Sequence, residues 1–274
     1  MKARAVASGP AKDRPAIVKL GGSVITEKDK PLTPNPQAIG RLSEEIARAE
    51  VSPILIVHGG GSYGHPIAKT YGIAEGLRDQ AQLVGFSRTH EAMVSLNRLV
   101  VENLLSQGLP AFGMAPSSFI VTNKGRIQDF SEEPLTRAIN TGLIPVLYGD
   151  AVLDTDQGFA ILSGDQIAAF LALKLNAERL IMGVDVDGLY DSDPKTGRAA
   201  HFIPHLTLKG LQELSNKIGG AKGSDVTGGM SGKVQELMKP VAHGIQTLIV
   251  NALRPGNICK ALKGEEVVGT RIGA

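Results

Sequence analysis

Five short apolar runs punctuate this chain: AIVKL (16–20), PILIV (53–57), LIPVLY (143–148), RLIMGV (179–184) and TLIV (247–250). At four to six residues each they are too short for core helices, and they lack the alternation of half-buried strands. They read as strands buried on both faces. Between them lie longer stretches with helical period. Asn35 caps and Pro36 opens a helix with Ile39, Leu42 and Ile46 on one face. A segment from about 80 to 107 carries Leu83, Phe86, Val94 and Leu104 among charged residues. Ser163 with Gln166 three positions on reads as a capping box opening the helix of Ile167, Phe170 and Leu171. Another helix after Thr227 turns Val234, Leu237, Met238 and Val241 inward, and VLDTDQGFAIL (152–162) reads as a hairpin. Strands alternating with helices predict an α/β protein: an open αβα sandwich with a mostly parallel central sheet.

Composition narrows the class of protein. With 274 residues, 42% of them apolar, the chain suits one large or two small domains with a substantial core. A net charge of +2 is too small a bias to indicate nucleic acid. No apolar run approaches the roughly 20 residues of a membrane span. Residues 1–15, MKARAVASGPAKDRP, lack the apolar core of a signal peptide and read as a flexible tail. Cys259 is the single cysteine, which excludes an intrachain disulfide and a cysteine metal cluster. A cytoplasmic protein with neither nucleic-acid nor membrane partners is expected. SNKIGGAKGSD (215–225) reads as a mobile loop.

In open parallel sheets ligands bind beyond the carboxyl ends of the strands, and glycine gathers there: GGS (21–23) after the first run, GGGSYG (59–64) after the second, GD (149–150) after the third. Glycine lets backbone N–H groups approach an anion closely. GGGSYG matches a dinucleotide fingerprint, but it follows the second strand, and Glu75 and Asp79, at the right spacing, have no strand before them. TGGMSGK (227–233) has Thr227 where a P-loop needs glycine. A calcium loop begun by Asp191 and Asp193 fails at Lys195. Lys19 is more informative. It interrupts an apolar strand directly before two glycines, where a buried charge needs a partner, and a phosphate chain would supply one. Lys28 follows nine residues on, and Lys233 stands just inside a helix. His58 reads as structural, its ring bonded to backbone, and His201 and His205 flank FIP in a loop.

VKLGGSVIT, VHGGGSYGHP, VLYGD, LSGDQ, GVDVDGLYDSDP and SDVTGGMSGK, in that order between about 16 and 272, resemble the amino acid kinase superfamily and, within it, the isopentenyl phosphate kinase family. GGS and VDG carry the superfamily level; HGGGSYGH, with His65 seven residues after His58, carries the narrower one. Fosfomycin kinases resemble the same stretch, and Tyr63 stands where phenylalanine is more usual. The resemblance implies a single domain over 16–274, with an acceptor half to about 150 and an ATP half from about 151. It implies phosphorylation of isopentenyl phosphate to the diphosphate in isoprenoid biosynthesis, with ATP as donor, Mg²⁺ carried on the ATP phosphates, no metal site in the protein, and a homodimer.

It also implies roles for residues. Lys19, Gly21, Gly22 and Ser23 hold ATP phosphates, and Lys28 stabilises charge on the moving phosphoryl group. Gly60 and Gly61 offer N–H groups between donor and acceptor. His65 binds the acceptor phosphate and Gly149 borders it, while Phe86, His90 and Met93 lie on the helix that walls the acceptor pocket. Asp165 orients lysines; Asp185 and Tyr190 hold the nucleotide; Gly228, Gly229 and Lys233 close over its phosphates. The competing readings are a kinase of another small phosphate or phosphonate such as fosfomycin, a nucleotide-binding sensor without turnover, and a nicotinamide oxidoreductase resting on the G-x-G-x-x-G match alone.

Overall fold

The five apolar runs become five adjacent strands in the middle of one sheet, where both faces are covered. A computed structural model describes residues 14–192, 200–218 and 229–273. β1 (Ala16–Leu20) runs directly into a single helical turn, α1 (Gly22–Ile25). The Asn35 side chain accepts from Ala38 N at 3.0 Å and so caps α2 (Pro36–Ala49). β2 (Ile54–His58), α3 (Gly61–Thr70) and the long α4 (Ala81–Ser106) follow. Then come β3 (Ala111–Gly113), a hairpin of β4 (Ile120–Asn123) and β5 (Arg126–Phe130), α5 (Glu132–Asn140) and β6 (Ile144–Tyr148). A second hairpin, β7 (Asp150–Asp154) and β8 (Gly158–Leu162), precedes α6 (Gly164–Lys174) and β9 (Arg179–Val184). The remainder comprises β10 (Leu189–Tyr190), β11 (Phe202–Ile203), β12 (His205–Thr207), α7 (Leu208–Ile218), α8 (Gly229–Ala242), β13 (Gln246–Asn251), α9 (Asn257–Lys263) and β14 (Gly269–Gly273).

The central sheet has the order β12-β14-β13-β9-β1-β2-β6-β3, and only the β13–β14 pair is antiparallel. Alternate residues of one strand serve opposite cores, as the period of two requires. Val18 and Leu20 face a core with α2, α4 and α9, which supply Ile39, Leu42, Leu96, Val100 and Leu262. Ile17 faces the other, filled from α6, α7 and α8 by Ile167, Leu171, Leu211, Val234 and Leu237. The expected sandwich is therefore present, and the expected strand bounds shift by one or two residues at most.

Several expectations need correction. Leu83 is half exposed, whereas Leu104 is buried, and α4 also turns Thr89, Met93, Leu96, Asn97 and Val100 inward. The capping box is half made: Ser163 Oγ accepts from Gln166 N at 3.1 Å, but the Gln166 side chain turns outward to Ile127 N (3.0 Å) and Gly125 O (3.0 Å), tying α6 to β5 and its turn. Residues 215–218 belong to α7, whereas 219–225 lie outside the described residues. Phe202 and Ile203 form β11 and His205 opens β12, so only Pro204 of FIP lies between strands, and the segment is not a loop. A four-stranded sheet, β5-β4-β7-β8, was legible only as its second hairpin. Its turns converge on the buried Asp154 carboxylate, which accepts from Thr122 Oγ1 (2.8 Å) and from the N–H groups of Lys124, Gly125, Asp156 and Gln157 (2.8–3.1 Å). Burial pushes this carboxyl up, but the donors together hold it well below the usual carboxylate range.

The last helix is fixed by a charge at the start of its backbone. Glu45, buried on α2, accepts from Arg41 at 2.5 Å and from the N–H groups of Gly256 (2.9 Å), Ile258 (3.0 Å) and Cys259 (3.3 Å). Glu45→Ala strands these donors and the Arg41 charge. A loss of about 3–5 kcal/mol in unfolding free energy is expected. Urea denaturation checks it, and a loss below about 1 kcal/mol would show that water replaces the carboxylate.

Candidate active site

Hydrogen bonding continues one residue past the strand ends and sets three turns side by side. Gly21 N donates to Gly183 O at 2.8 Å, Gly59 N to Leu20 O at 2.9 Å, and Gly149 N to His58 O at 2.9 Å. The first two turns then meet backbone to backbone. A Cβ on Gly22 would lie 2.2 Å from Gly61 N, and one on Gly61, at φ +49°, would lie 2.1 Å from Thr26 Oγ1 and 2.7 Å from Gly22 O. Only glycine fits either side of this seam. Thr26 Oγ1 bridges it, donating to Gly22 O (2.8 Å) and accepting from Ser62 N (3.0 Å). Thr26 and Ser62 were not singled out in the sequence; a buried hydroxyl at the end of a one-turn helix was the available signal.

The buried lysine finds its partner on α6. Lys19 Nζ lies 2.8 Å from Asp165 Oδ1, and Lys233 Nζ, from α8, lies 2.9 and 2.8 Å from the two oxygens of the same carboxylate. The side chains of Lys19, Lys233 and Asp165 are 6%, 9% and 13% exposed. Two ammonium groups on one carboxylate leave a net positive charge in a largely desolvated place. Burial pushes Lys19 down to about 8, with Asp165 opposing and Lys233 adding to the fall. Burial pushes Asp165 the other way, but the two lysines outweigh it and keep its carboxyl well below the usual range. The one Asp165 carboxylate thus holds both ammonium groups side by side.

The other expected residues lie on the elements that follow β1, β2, β6 and β9 and on α4 and α8. Gly21, Gly22 and Ser23 form the turn into α1, and Gly60 and Gly61 the start of α3, with half-buried His65 one turn further on. The segment carrying Lys28 docks on α3 through Ser62, whose carbonyl accepts from Leu32 N (3.0 Å) and whose hydroxyl donates to Thr33 O (3.2 Å). Lys28 Nζ, 55% exposed, lies 3.0 Å from Asp185 Oδ2 just beyond β9. Tyr190 packs edge-on to Phe202. Gly149 and Gly164 approach so closely that a Cβ on Gly149 would sit 3.0 Å from Gly164 N. Phe86 packs on Phe159, His90 reaches Asp150 at 3.0 Å, and the Met93 sulfur abuts Gly60 and Gly64. Gly229 begins α8, whereas Gly228 lies outside the described residues.

His58 is structural, as expected. Burial pushes its ring down to about 4, with Gly59 opposing and Lys19 adding to the fall, so it is neutral. Nδ1–H donates to Gly59 O (3.1 Å), Nε2 accepts from Asn97 Nδ2 (3.1 Å), and the ring stacks on Tyr148. Asn97 escaped the sequence reading, although an amide in the apolar stripe of a long helix was a signal.

Strand order, paired glycine turns and two buried ammonium groups on one carboxylate define an αβα protein with a site whose charge suits an anion. The sequence pattern of the "Amino acid kinase family" matches residues 14–251. The chain belongs to the amino acid kinase family, and its relatives include isopentenyl phosphate kinases matched over nearly their whole length. The isopentenyl phosphate kinase of Methanothermobacter thermautotrophicus is 42% identical over 265 residues, covering 93% of this chain and 98% of that protein. That of Methanocaldococcus jannaschii is 34% identical over 267 residues, covering 93% and 97%. A solved structure of an isopentenyl phosphate kinase superposes with a TM-score of 0.83 at 39% identity, covering 94% of this chain and 99% of that one.

The buried triad has a pH signature. Between about 8 and 10.5 the unfolded chain holds the Lys19 proton more tightly than the folded one, so this group's contribution to stability rises with pH over that window. Asp165, with its depressed value, contributes fully above the unfolded carboxyl range, and that contribution is lost as pH falls below it. Asp165→Asn leaves two buried cations facing each other. It is expected to cost about 3–5 kcal/mol at about pH 6 and distinctly less at about pH 9, where Lys19 sheds its proton. Urea unfolding at both values checks this, and a cost independent of pH would contradict it.

Proposed function

We propose that this chain is an ATP-dependent kinase that transfers the γ-phosphoryl group of ATP to isopentenyl phosphate, giving isopentenyl diphosphate and ADP. The observation that carries the reading is the Lys19–Asp165–Lys233 centre beneath the glycine seam. A desolvated site with excess positive charge and free backbone approach suits an anion. The relatives supply the identity of the reactants.

Phosphoryl transfer asks a protein mainly for positioning and for positive charge near the moving group. The acceptor attacks through a phosphate oxygen that is already largely ionised at neutral pH, so no general base is needed. The obstacle is repulsion between two anions. In this reading Lys19, Gly21, Gly22 and Ser23 hold the donor phosphates from the end of β1, and Lys233, with Gly228 and Gly229, holds them from the start of α8. Asp185 and Tyr190 hold the rest of the nucleotide. Gly60 and Gly61 direct N–H groups at the transferred group, Lys28 neutralises its charge, and His65 binds the acceptor phosphate beside Gly149. Mg²⁺, borne on ATP as part of the donor substrate, offsets further negative charge. The excess of cation over carboxylate at the triad fits such a polyanionic guest. Residues up to about 150 form the acceptor half of one domain and the rest the ATP half, although Lys19 crosses that division. A cytoplasmic homodimer completes the reading, because the family commonly dimerises.

An ADP-release assay with Mg-ATP tests it. Isopentenyl phosphate is expected to give a kcat/KM far above those of geranyl phosphate and fosfomycin. Preference for fosfomycin would keep the site and replace the acceptor, while ATP binding without turnover would leave a sensor. His65→Ala is expected to raise the acceptor KM and lower kcat/KM by about 10²–10³-fold with ATP binding preserved. Lys28→Ala is expected to lower kcat with the melting temperature unchanged; near-normal turnover would remove Lys28 from the transition state.

A further inference from the structure

One stripe of α4 follows the crevice. Asn97 bonds His58, Met93 lies against Gly60 and Gly64, His90 reaches Asp150, and Phe86 packs on Phe159. Positions 86, 90, 93 and 97 recur at helical spacing, so these four side chains share one face. α4 packs against α3, which carries His65. His90 therefore stands one turn along α4 from the residue underlying the second glycine turn.

Its partner is unusual. The Asp150 side chain is wholly buried, and Asp150 directly follows Gly149, whose N–H bonds the His58 carbonyl. Asp150 Oδ1 accepts from Ala151 N at 2.9 Å and Oδ2 lies 3.4 Å from Ser117 N. Both oxygens lie 3.0 Å from His90 Nδ1, with Ser117 Oγ 3.4 Å from the same atom. A buried carboxylate demands a compensating cation or a full set of donors. Two backbone N–H groups, one of them distant, fall short, and the imidazolium completes the set. The contact also fixes the ring. Nδ1 is committed to Asp150, while Nε2 has no hydrogen-bond partner among the described residues, on a side chain that is 31% exposed.

We propose that His90, anchored through Nδ1 on buried Asp150, is a second acceptor-binding imidazole that presents Nε2–H to the anionic head of the acceptor monophosphate, with Asp150 as its positioning residue. This deepens the acceptor assignment made above for the turn at 58–65 and rests on it. A positively charged N–H donor suits a phosphate oxygen and not a hydrocarbon tail, so His90 serves the head of the acceptor, while half-buried Phe86, one turn further on, serves its apolar part. The surroundings agree. The Asp150 hydrogen bond raises His90 above the ordinary imidazole value; burial opposes it, and the charges of Asp150 and of Glu91 on α4 add to it. Burial raises Tyr148 on β6, with the charges of Asp150 and Glu91 adding to the rise, so it stays neutral.

Two measurements test this on the full-length enzyme. With isopentenyl phosphate, His90→Gln is expected to raise the acceptor KM by about 10-fold to 100-fold, with the ATP KM and the melting temperature near wild type. Asp150→Asn is expected to raise it too, but its ratio to wild type shrinks between about pH 8 and about pH 5.5, where acid restores the imidazolium. The His90→Gln ratio stays flat. Independently, NMR titration of the His90 ring in the wild-type protein with saturating ADP is expected to show its pKa rising when inorganic phosphate is added. An acceptor KM within twofold of wild type in His90→Gln, or a His90 ring indifferent to phosphate, overturns the proposal. A wild-type enzyme inactive with isopentenyl phosphate would overturn the acceptor reading instead, and the phosphate titration would still decide the role of His90.

Discussion

A carboxylate shared by two buried ammonium groups is the constraint on which the rest of the molecule depends. Asp165 can hold Lys19 and Lys233 together only if β1 lies at the centre of the sheet, α6 begins directly behind it, and α8 arrives from far along the chain. Desolvating three charges is expensive, and buried ion pairs are often no better for stability than apolar contacts. The arrangement makes sense as a device for holding an unsatisfied positive charge where water is excluded. A bound polyanion is then attracted in a medium that screens poorly.

The small sheet steadies this centre from outside. The Gln166 side chain is bonded at both ends to the β4–β5 hairpin, one residue from Asp165. Arg126 of the same hairpin makes a two-pronged ion pair with Glu236, one turn beyond Lys233 on α8. A single hairpin thus grips the two helices that supply two-thirds of the triad. Asp154 stiffens that hairpin by gathering the N–H groups of its turn. From the surface turn to the helices that bear the buried charge, the contacts run through side-chain bonds to the hairpin backbone and one ion pair.

What was legible in the sequence follows from how strongly each element is specified. Strands buried on both faces read as continuous apolar runs, and all five were found because no polar residue except Lys19 interrupts them. That exception was itself the clearest sign of a site. β4 and β5 escaped because IVTN and RIQDF are held by Asp154 and Gln166 more than by apolar burial, and such side-chain-to-backbone bonds leave no periodic trace. β12 and β14 are short strands whose pairing is set by distant partners. At the site, glycines and lysines announced themselves, whereas Thr26, Asn97 and Asp150 did not. Each acts by bonding a group far away in the chain, so its spacing to neighbouring residues carries no information.

The seam between Gly22 and Gly61 has a mechanical consequence. Two backbones in van der Waals contact, pinned by one threonine hydroxyl, behave as a single rigid plate rather than as the lips of a cleft. The separation between the two rows of backbone N–H groups that it presents is then a constant of the fold, as fixed as a ruler's marks. Spreading or clamping these turns would break the seam, so the plate itself holds the gauge.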